Sequence, residues 1–331
     1  YYTSTNTEDN KTTYYFRGAV DNNYVKFGSQ TKNTCRYNGT DVIYYDLTND
    51  TFFEYSLTEE QCLSTNVCTN TPYGNIVGID DTACTNIEGT ATGEKATFTA
   101  NVIEDILWRV VRINEDGSTR LITQDSVGSS AFNTNYNDNA YVGYMYGTAG
   151  STTYEATHAN TNNSTIKDYL DNWYQTNLLS YSSYMSPDAG FCNDRSVAPT
   201  ANTWNSSDTA LGYGRNITYY GAYNRLFNLN QPQFACPQTN DLFTTSASSK
   251  GNKALTYPVG LITLDELVYA GGITTDSNTT YYLNNTNYWT MSPVFFDGSN
   301  AMIGVRAAVN LSSYVEITSG DGTLANPYVV R

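Results

Sequence analysis

Apolar positions in this 331-residue chain fall in short runs separated by long polar stretches, and most of the runs alternate as strands do rather than recurring at helical spacing. The strongest signal is Ile106-Leu107-Trp108-Arg109-Val110-Val111-Arg112-Ile113 followed by Thr119-Arg120-Leu121-Ile122-Thr123. Glu115-Asp116-Gly117-Ser118 separates the two runs, and an Asp-Gly turn between β-favouring segments predicts a hairpin. Alternation places Trp108, Val110 and Arg112 on one face and Arg109, Val111 and Ile113 on the other. Both faces are mainly apolar, as in a strand at the centre of a sheet. A second hairpin is predicted from Tyr14–Gly18 and Tyr24–Gly28 around Asp21-Asn22-Asn23.

Two helices are predicted. Ile166, Tyr169, Leu170, Trp173 and Leu178 recur at i, i+3, i+4, i+7 behind Ser164/Thr165, with Asp168 as capping-box partner, giving a helix over about 166–180. The other starts at Thr263 with Asp265 and Glu266 in its first turn, buries Leu264, Leu267 and Val268, and stops at Gly271-Gly272. Short strands are expected at Tyr141–Tyr146, Tyr288–Met291, Ala301–Leu311, Tyr314–Ile317 and Tyr328–Arg331. Residues 1–13 are polar and aperiodic. For such a segment to be ordered it must lie against its own domain or a neighbouring copy, and Tyr1-Tyr2-Thr3-Ser4-Thr5 has the β-favouring residues to add to an open sheet edge, most usefully that of an adjacent subunit.

The strand signal breaks between 29 and 101, where Cys35, Cys62, Cys68 and Cys84 sit among Asn, Thr and Gly. Successive spacings of 26, 5 and 15 residues do not match the C-x2-C pairs of a zinc site, so these cysteines read as a disulfide framework with Cys192 and Cys236 as the remaining pair. Three connectivities are open among the first four; proximity favours Cys35 with Cys62 and Cys68 with Cys84. Disulfides imply an oxidising compartment. The expected organisation is an α+β, strand-rich domain formed by 1–28 and 102–331, interrupted by a cysteine-rich insertion at 29–101.

Thirty tyrosines, together with abundant Asn, Thr and Ser, give an uncharged-polar, aromatic surface of the kind proteins expose to other molecules in water. The net charge of −15 makes nucleic acid and anionic lipid poor partners. No run approaches the ~18 to 20 apolar residues of a membrane span. The start at Tyr1, without a methionine or a signal-like apolar segment, reads as a chain from which whatever preceded it was removed, by processing or by design. Together these features predict an extracellular, cell-surface protein whose partners are other protein subunits or host and cell-surface glycans.

The order of several motifs resembles that of a known family. Tyr15-Phe16-Arg17-Gly18, Asn23-Tyr24-Val25-Lys26-Phe27, Trp108-Arg109-Val110-Val111-Arg112-Ile113-Asn114 with Asp116-Gly117-Ser118, Leu261-Ile262-Thr263 through Gly272, Tyr288-Trp289-Thr290-Met291-Ser292-Pro293, Gly304-Val305-Arg306 and Gly320-Asp321-Gly322-Thr323 with Asn326-Pro327-Tyr328 together resemble a set of uncharacterised surface proteins of low-GC Gram-positive gut bacteria. The resemblance covers most of 14–28 and 106–331, and it makes 29–101 look inserted. The paired short helices, the Trp-Thr-Met-Ser-Pro run and the late Gly-Val-Arg strand also resemble the C-type-lectin-like fold of formylglycine-generating enzymes and hypervariable bacterial receptors. That likeness implies a C-type-lectin-like domain and a surface location. It implies no catalytic residue, because the reactive cysteine pair of those enzymes has no counterpart beyond Cys236.

C-type-lectin-like loops often bind calcium through Asp, Asn and Glu oxygens, and the resemblance makes Asp138 (in Asn137-Asp138-Asn139) and Asp297 (in Asp297-Gly298-Ser299-Asn300) the calcium candidates; ordinary turns are the plainer reading. No other cofactor is expected. His158, the one histidine, reads as a solvated loop residue, and no G-x-S-x-G elbow accompanies it. Glu104, Asp105 and Glu155 are the carboxylates nominated for a glycoside hydrolase. The ligand-binding candidates are Tyr281, Tyr282, Asn284, Asn285, Tyr288 and Trp289, with Tyr281 and Tyr282 expected to be exposed for stacking and the amides to add hydrogen bonds. The sequence thus favours a non-enzymatic adhesin-like module or filament (pilus) subunit, with a secreted carbohydrate-active enzyme as the alternative.

Overall fold

A computed structural model describes residues 1–37, 41–46, 51–52, 87–88, 95–134, 141–149, 151, 153–199, 219–272, 280–284, 287–293 and 301–330, with backbone alone for the described part of 31–103. Asn285, Asp138, Asp297, Cys62, Cys68, Cys84 and the side chain of Cys35 lie outside it. The chain forms two compact units, Tyr1–Gly28 with Ile106–Arg331, and Ser29–Asp105. In the second, Asp41–Asp46 pairs antiparallel with the preceding strand, Cys35 opposite Ile43, and Ile87–Glu88 pairs with Lys95 and Ala96.

The first unit is α+β. Its strands are β1 (Tyr2–Ser4), β2 (Thr13–Tyr15), β3 (Tyr24–Tyr37) as far as Gly28, β4 (Lys95–Ile113) from Ile106 onward, β5 (Thr119–Thr123), β6 (Ala308–Leu311), β7 (Ile317–Ser319) and β8 (Tyr328–Val330); its main helices are α1 (Thr165–Asn177) and α2 (Leu264–Ala270). The hairpin predicted at Asp116-Gly117 forms: Asn114 N–H donates to Ser118 O, and Trp108 to Ile113 pairs with Thr123 to Thr119. A bulge between Val110 and Arg112 breaks the strict two-residue alternation, and Ile113 ends 41% exposed. β6 pairs with the far edge of β5.

The predicted first hairpin is not one. β2 and β3 follow one another antiparallel along the same edge of β4: Tyr15 lies opposite Arg112, Asn23 O accepts from Val110 N, and Phe27 O accepts from Trp108 Nε1 at 2.7 Å. Residues 17–22 form an excursion between them rather than a reversal. Gly18, at φ +78°, lets its N–H donate to Ala270 O while its carbonyl accepts from Tyr282 N. The buried Arg109 guanidinium holds the excursion, reaching Asn23 Oδ1 and Val20 O and lying 3.8 Å from the centre of the Tyr24 ring. Beyond that edge the sheet forks: β2 continues to β1, and β3 continues to β8, parallel, and then β7.

The core lies between this sheet and α1. Trp108 meets Trp173 edge-on, and Ile166, Leu170, Tyr174 and Leu178 are fully buried, as the helical spacing requires. The cap of α1 differs from the expected box: Ser164 Oγ accepts from Lys167 N, while Asp168 accepts from Asn163 Nδ2. Among the later strands, Tyr288–Met291 forms only a bridge at Tyr288, Tyr141–Tyr146 shortens to Met145–Tyr146, and Ala301–Leu311 divides into Ile303–Gly304 and β6. Cys192 and Cys236 are joined in a disulfide. Among the described residues no helix is long and apolar enough to cross a membrane.

Candidate functional site

α2 buries its acidic first turn and leaves its apolar residues half-buried. Thr263 and Glu266 make the predicted capping box and Gly271, at φ +115°, ends the helix, but the buried residues are Asp265, Glu266 and Ala270 rather than Leu264, Leu267 and Val268. The reason is a set of arginines that the strands deliver beneath the first turn. Glu266 Oε1 lies 2.9 Å from Arg120 Nε and 3.2 Å from Arg112 Nε, and its Oε2 accepts from Arg120 Nη2 and from Thr263 N. Burial alone would raise the Glu266 pKa; the two guanidinium groups and the Thr263 N–H outweigh it and hold the carboxyl below its ordinary value. Beside it, Arg225 donates to both oxygens of Asp265 and to Asp194 Oδ2. Asp194 in turn accepts from Ser196 N.

Above this floor is a cleft that leaves ≈ 40 Å³ for water-sized groups, lined by Arg112, Arg120, Arg225, Lys250, Asp188 and Glu266 among others. The N-terminal segment closes it. Glu8 projects its carboxylate into the cleft and accepts from Cys236 N, next to the disulfide, while Asp9 pairs with Lys250 at 3.0 Å. Burial pushes the Glu8 pKa up. The segment is anchored further by Asn6 O, which accepts from Phe234 N and Ala235 N, by Ser4 Oγ against Tyr269 OH, and by β1 on β2. In the single chain it therefore lies against its own domain, the first of the two arrangements the sequence allows.

The residues nominated from sequence are scattered away from this cleft. Tyr282 is 9% exposed, its ring packed against Arg109 and its N–H reaching Gly18 O, so it is not the exposed residue the sequence predicts. Trp289 donates Nε1–H to Ser130 O and meets Phe132 edge-on, and Tyr288 donates to Leu283 O beneath Arg306. Both are built into the domain. Tyr281 is half-buried beside Ala19, Val20 and Asp21 at the rim of a shallow depression, and Asn284 is exposed.

His158 is also corrected. It is 3% exposed, caps the short helix Tyr154–Thr157, stacks on Tyr154 and donates Nδ1–H to Tyr154 O, while Nε2 is buried without a partner. Burial, reinforced by Arg195, pushes its pKa down to about 3. Asp105 and Glu155 are exposed, Glu104 is half-buried, and none of the three lines the cleft. Among the described residues no group of three His, Cys, Asp or Glu side chains is placed to hold a metal ion.

The charged floor went unnoticed in the sequence, although it left a trace. Arg112 and Arg120 interrupt apolar strand runs in a chain with only 17 basic residues, and a buried arginine must find acceptors, which here are the oxygens of Glu266. Comparison with known protein families, with curated proteins and with solved structures finds no match for this chain.

Proposed function

We propose that this chain is an extracellular, cell-surface module that binds or assembles without catalysing a reaction, adhesin-like or a filament subunit, on a C-type-lectin-like domain. The observation that carries the reading is the saturation of the cleft floor. Glu266 accepts from Arg112, Arg120 and Thr263 N, and Asp265 accepts from Arg225 twice and from Gln233 N, so both carboxylates are taken up in pairing within the fold. The Cys192–Cys236 disulfide and the acidic, tyrosine-rich composition support an oxidising, exposed setting. The fold assignment rests on the order of the Trp-Arg strand, the two helices and the late Gly-Val-Arg segment. Among the described residues of the aromatic stretch, half-buried Tyr281 and exposed Asn284 support a glycan-facing role.

One observation favours the alternative of a secreted carbohydrate-active enzyme. Glu8, raised by burial, and Glu266, held low, line the same cleft, and carboxyl groups driven apart in this way are the raw material of acid–base chemistry. A glycan panel scored for both retention and product release decides between them. Binding without product is the expected result; product that disappears in Glu8→Gln establishes the enzyme.

A further inference from the structure

The way residues 1–9 are held has a consequence for assembly. Apart from buried Thr7 and half-buried Ser4 their side chains are exposed, so little apolar burial offsets the ~1 to 2 kcal/mol per residue needed to order the backbone. What holds the segment is a ladder of three residue pairs on β2, the two N–H groups given to Asn6 O, the Cys236 N–H given to Glu8 and the Asp9–Lys250 pair. β1 ends the sheet path on its side, so it can leave without opening an interior ladder. Every one of these contacts joins residues 1–9 to the rest of the chain, and each is met equally well when the segment comes from another copy.

We propose that residues 1–9 of one copy exchange with those of a second copy, each segment taking the other's place along β2 and over the charged cleft. The hinge is Asn10-Lys11-Thr12. Asn10 sits at φ +55° in a tight turn closed by its N–H to Thr7 O and by Thr7 Oγ1 to Lys11 O, and opening that turn extends the segment toward a neighbour. Closed and exchanged forms share their contacts, so local concentration and the conformation of Asn10 decide between them, and crowding on a surface favours exchange. Glu8 makes the docking specific: its carboxylate, at the rim of the cleft, is answered by Cys236 N–H, Arg112 and Lys250, a setting that accepts an acidic segment. This inference rests on the assembly form of the reading above and names the partner as a second copy of this chain.

The Asp9–Lys250 pair supplies a direct test on the intact chain. A carbodiimide condenses the Asp9 carboxylate and the Lys250 amine into an amide with loss of water, and their 3.0 Å separation suits a zero-length cross-link. Light and ¹⁵N-labelled chains are mixed at high concentration, incubated, cross-linked and digested. Mass spectrometry is expected to find heavy–light Asp9–Lys250 peptides that increase with concentration. Asn10→Pro, which cannot adopt positive φ and lacks the N–H given to Thr7, is expected to raise the heavy–light fraction several-fold. Only same-isotope pairs at every concentration, in both the intact chain and Asn10→Pro, would overturn the proposal, and neither measurement requires the segment to be deleted. The glycan panel is independent: copies that exchange segments yet release product sink the non-catalytic reading alone, and copies that bind glycan yet never exchange sink the exchange alone.

Discussion

Glu266 closes the capping box of its own helix at Thr263 and with the same carboxylate holds Arg120, whose Nε lies 2.9 Å from Oε1, both side chains being buried. One residue thus sets where α2 begins and which way it faces. The strand hairpin delivers Arg112 and Arg120 to a single side, and the helix must present its acidic turn there. Without it Arg120 would be buried with no carboxylate beside it, and Arg112 would keep only Glu115, 3.5 Å away.

Removing the carboxylate is therefore expected to cost far more than a surface ion pair would. Glu266→Ala should lower stability by about 3 to 5 kcal/mol in urea unfolding, since Arg120 stays buried without its partner. The double variant Arg120→Met with Glu266→Leu should lose clearly less than the sum of the two single changes. A Glu266→Ala cost below about 1 kcal/mol, the range of exposed pairs, would mean that water reaches the floor and relieves the charge.

The disulfide fastens the loop on which the N-terminal segment lies. Cys192 and Cys236 are separated by 44 positions, a loop for which chain entropy gives a stabilisation of ~4 kcal/mol, with engineered cases usually lower. Cys192→Ser with Cys236→Ser should lower the unfolding midpoint and speed amide exchange at Phe234 and Ala235, whose N–H groups donate to Asn6 O. Loss of stability with unchanged exchange at those two amides would show that the segment docks without the staple.

What could be read from the sequence followed the strength of local rules. The Asp-Gly hairpin, the Ser164/Thr165 helix and the Thr263 capping box through Gly271 are each fixed by contacts within a few residues, and each forms. The course of residues 14–28 could not be read the same way. Asp21-Asn22-Asn23 has the composition of a reversal, yet the chain continues along β4 because Arg109, some 86 positions away, takes the Asn23 side chain. The facing of α2 has a related cause: its apolar residues have helical spacing yet are only half-buried, because the arginines that draw its acidic turn inward come from strands far away in sequence. The cleft combines residues 8, 112, 120, 225, 250 and 266, and no periodicity links those positions.

The aromatic stretch gives a contrast between neighbours. Tyr282→Ala removes a buried ring packed on Arg109 and should cost about 3 to 5 kcal/mol, the range for deleting a core aromatic, whereas Tyr281→Ala, half-buried, should cost less than half as much. If this surface takes a glycan, Tyr281→Ala lowers retention on the panel while the thermal midpoint changes little. Equal destabilisation by the two substitutions would remove Tyr281 from consideration as a recognition residue.

His158 gives the fold an acid limit whose sign follows from burial. Its folded pKa is about 3 against an ordinary value of 6.5, so between these values the unfolded chain binds a proton that the folded chain does not. Stability from this group is complete above about pH 6.5 and falls as pH drops toward 3, with a limiting slope of ~1.4 kcal/mol per pH unit. Buried carboxylates held low, such as Glu266, add their own losses further down, below their ordinary pKa near 4.5. The two contributions separate in His158→Gln, which keeps a polar side chain but cannot take the proton. Urea unfolding at intervals from about pH 7 to 5 should show the intact chain losing stability steadily while His158→Gln stays nearly flat. Parallel curves would mean that the histidine protonates in the folded state, and that the unpartnered Nε2 reaches water after all.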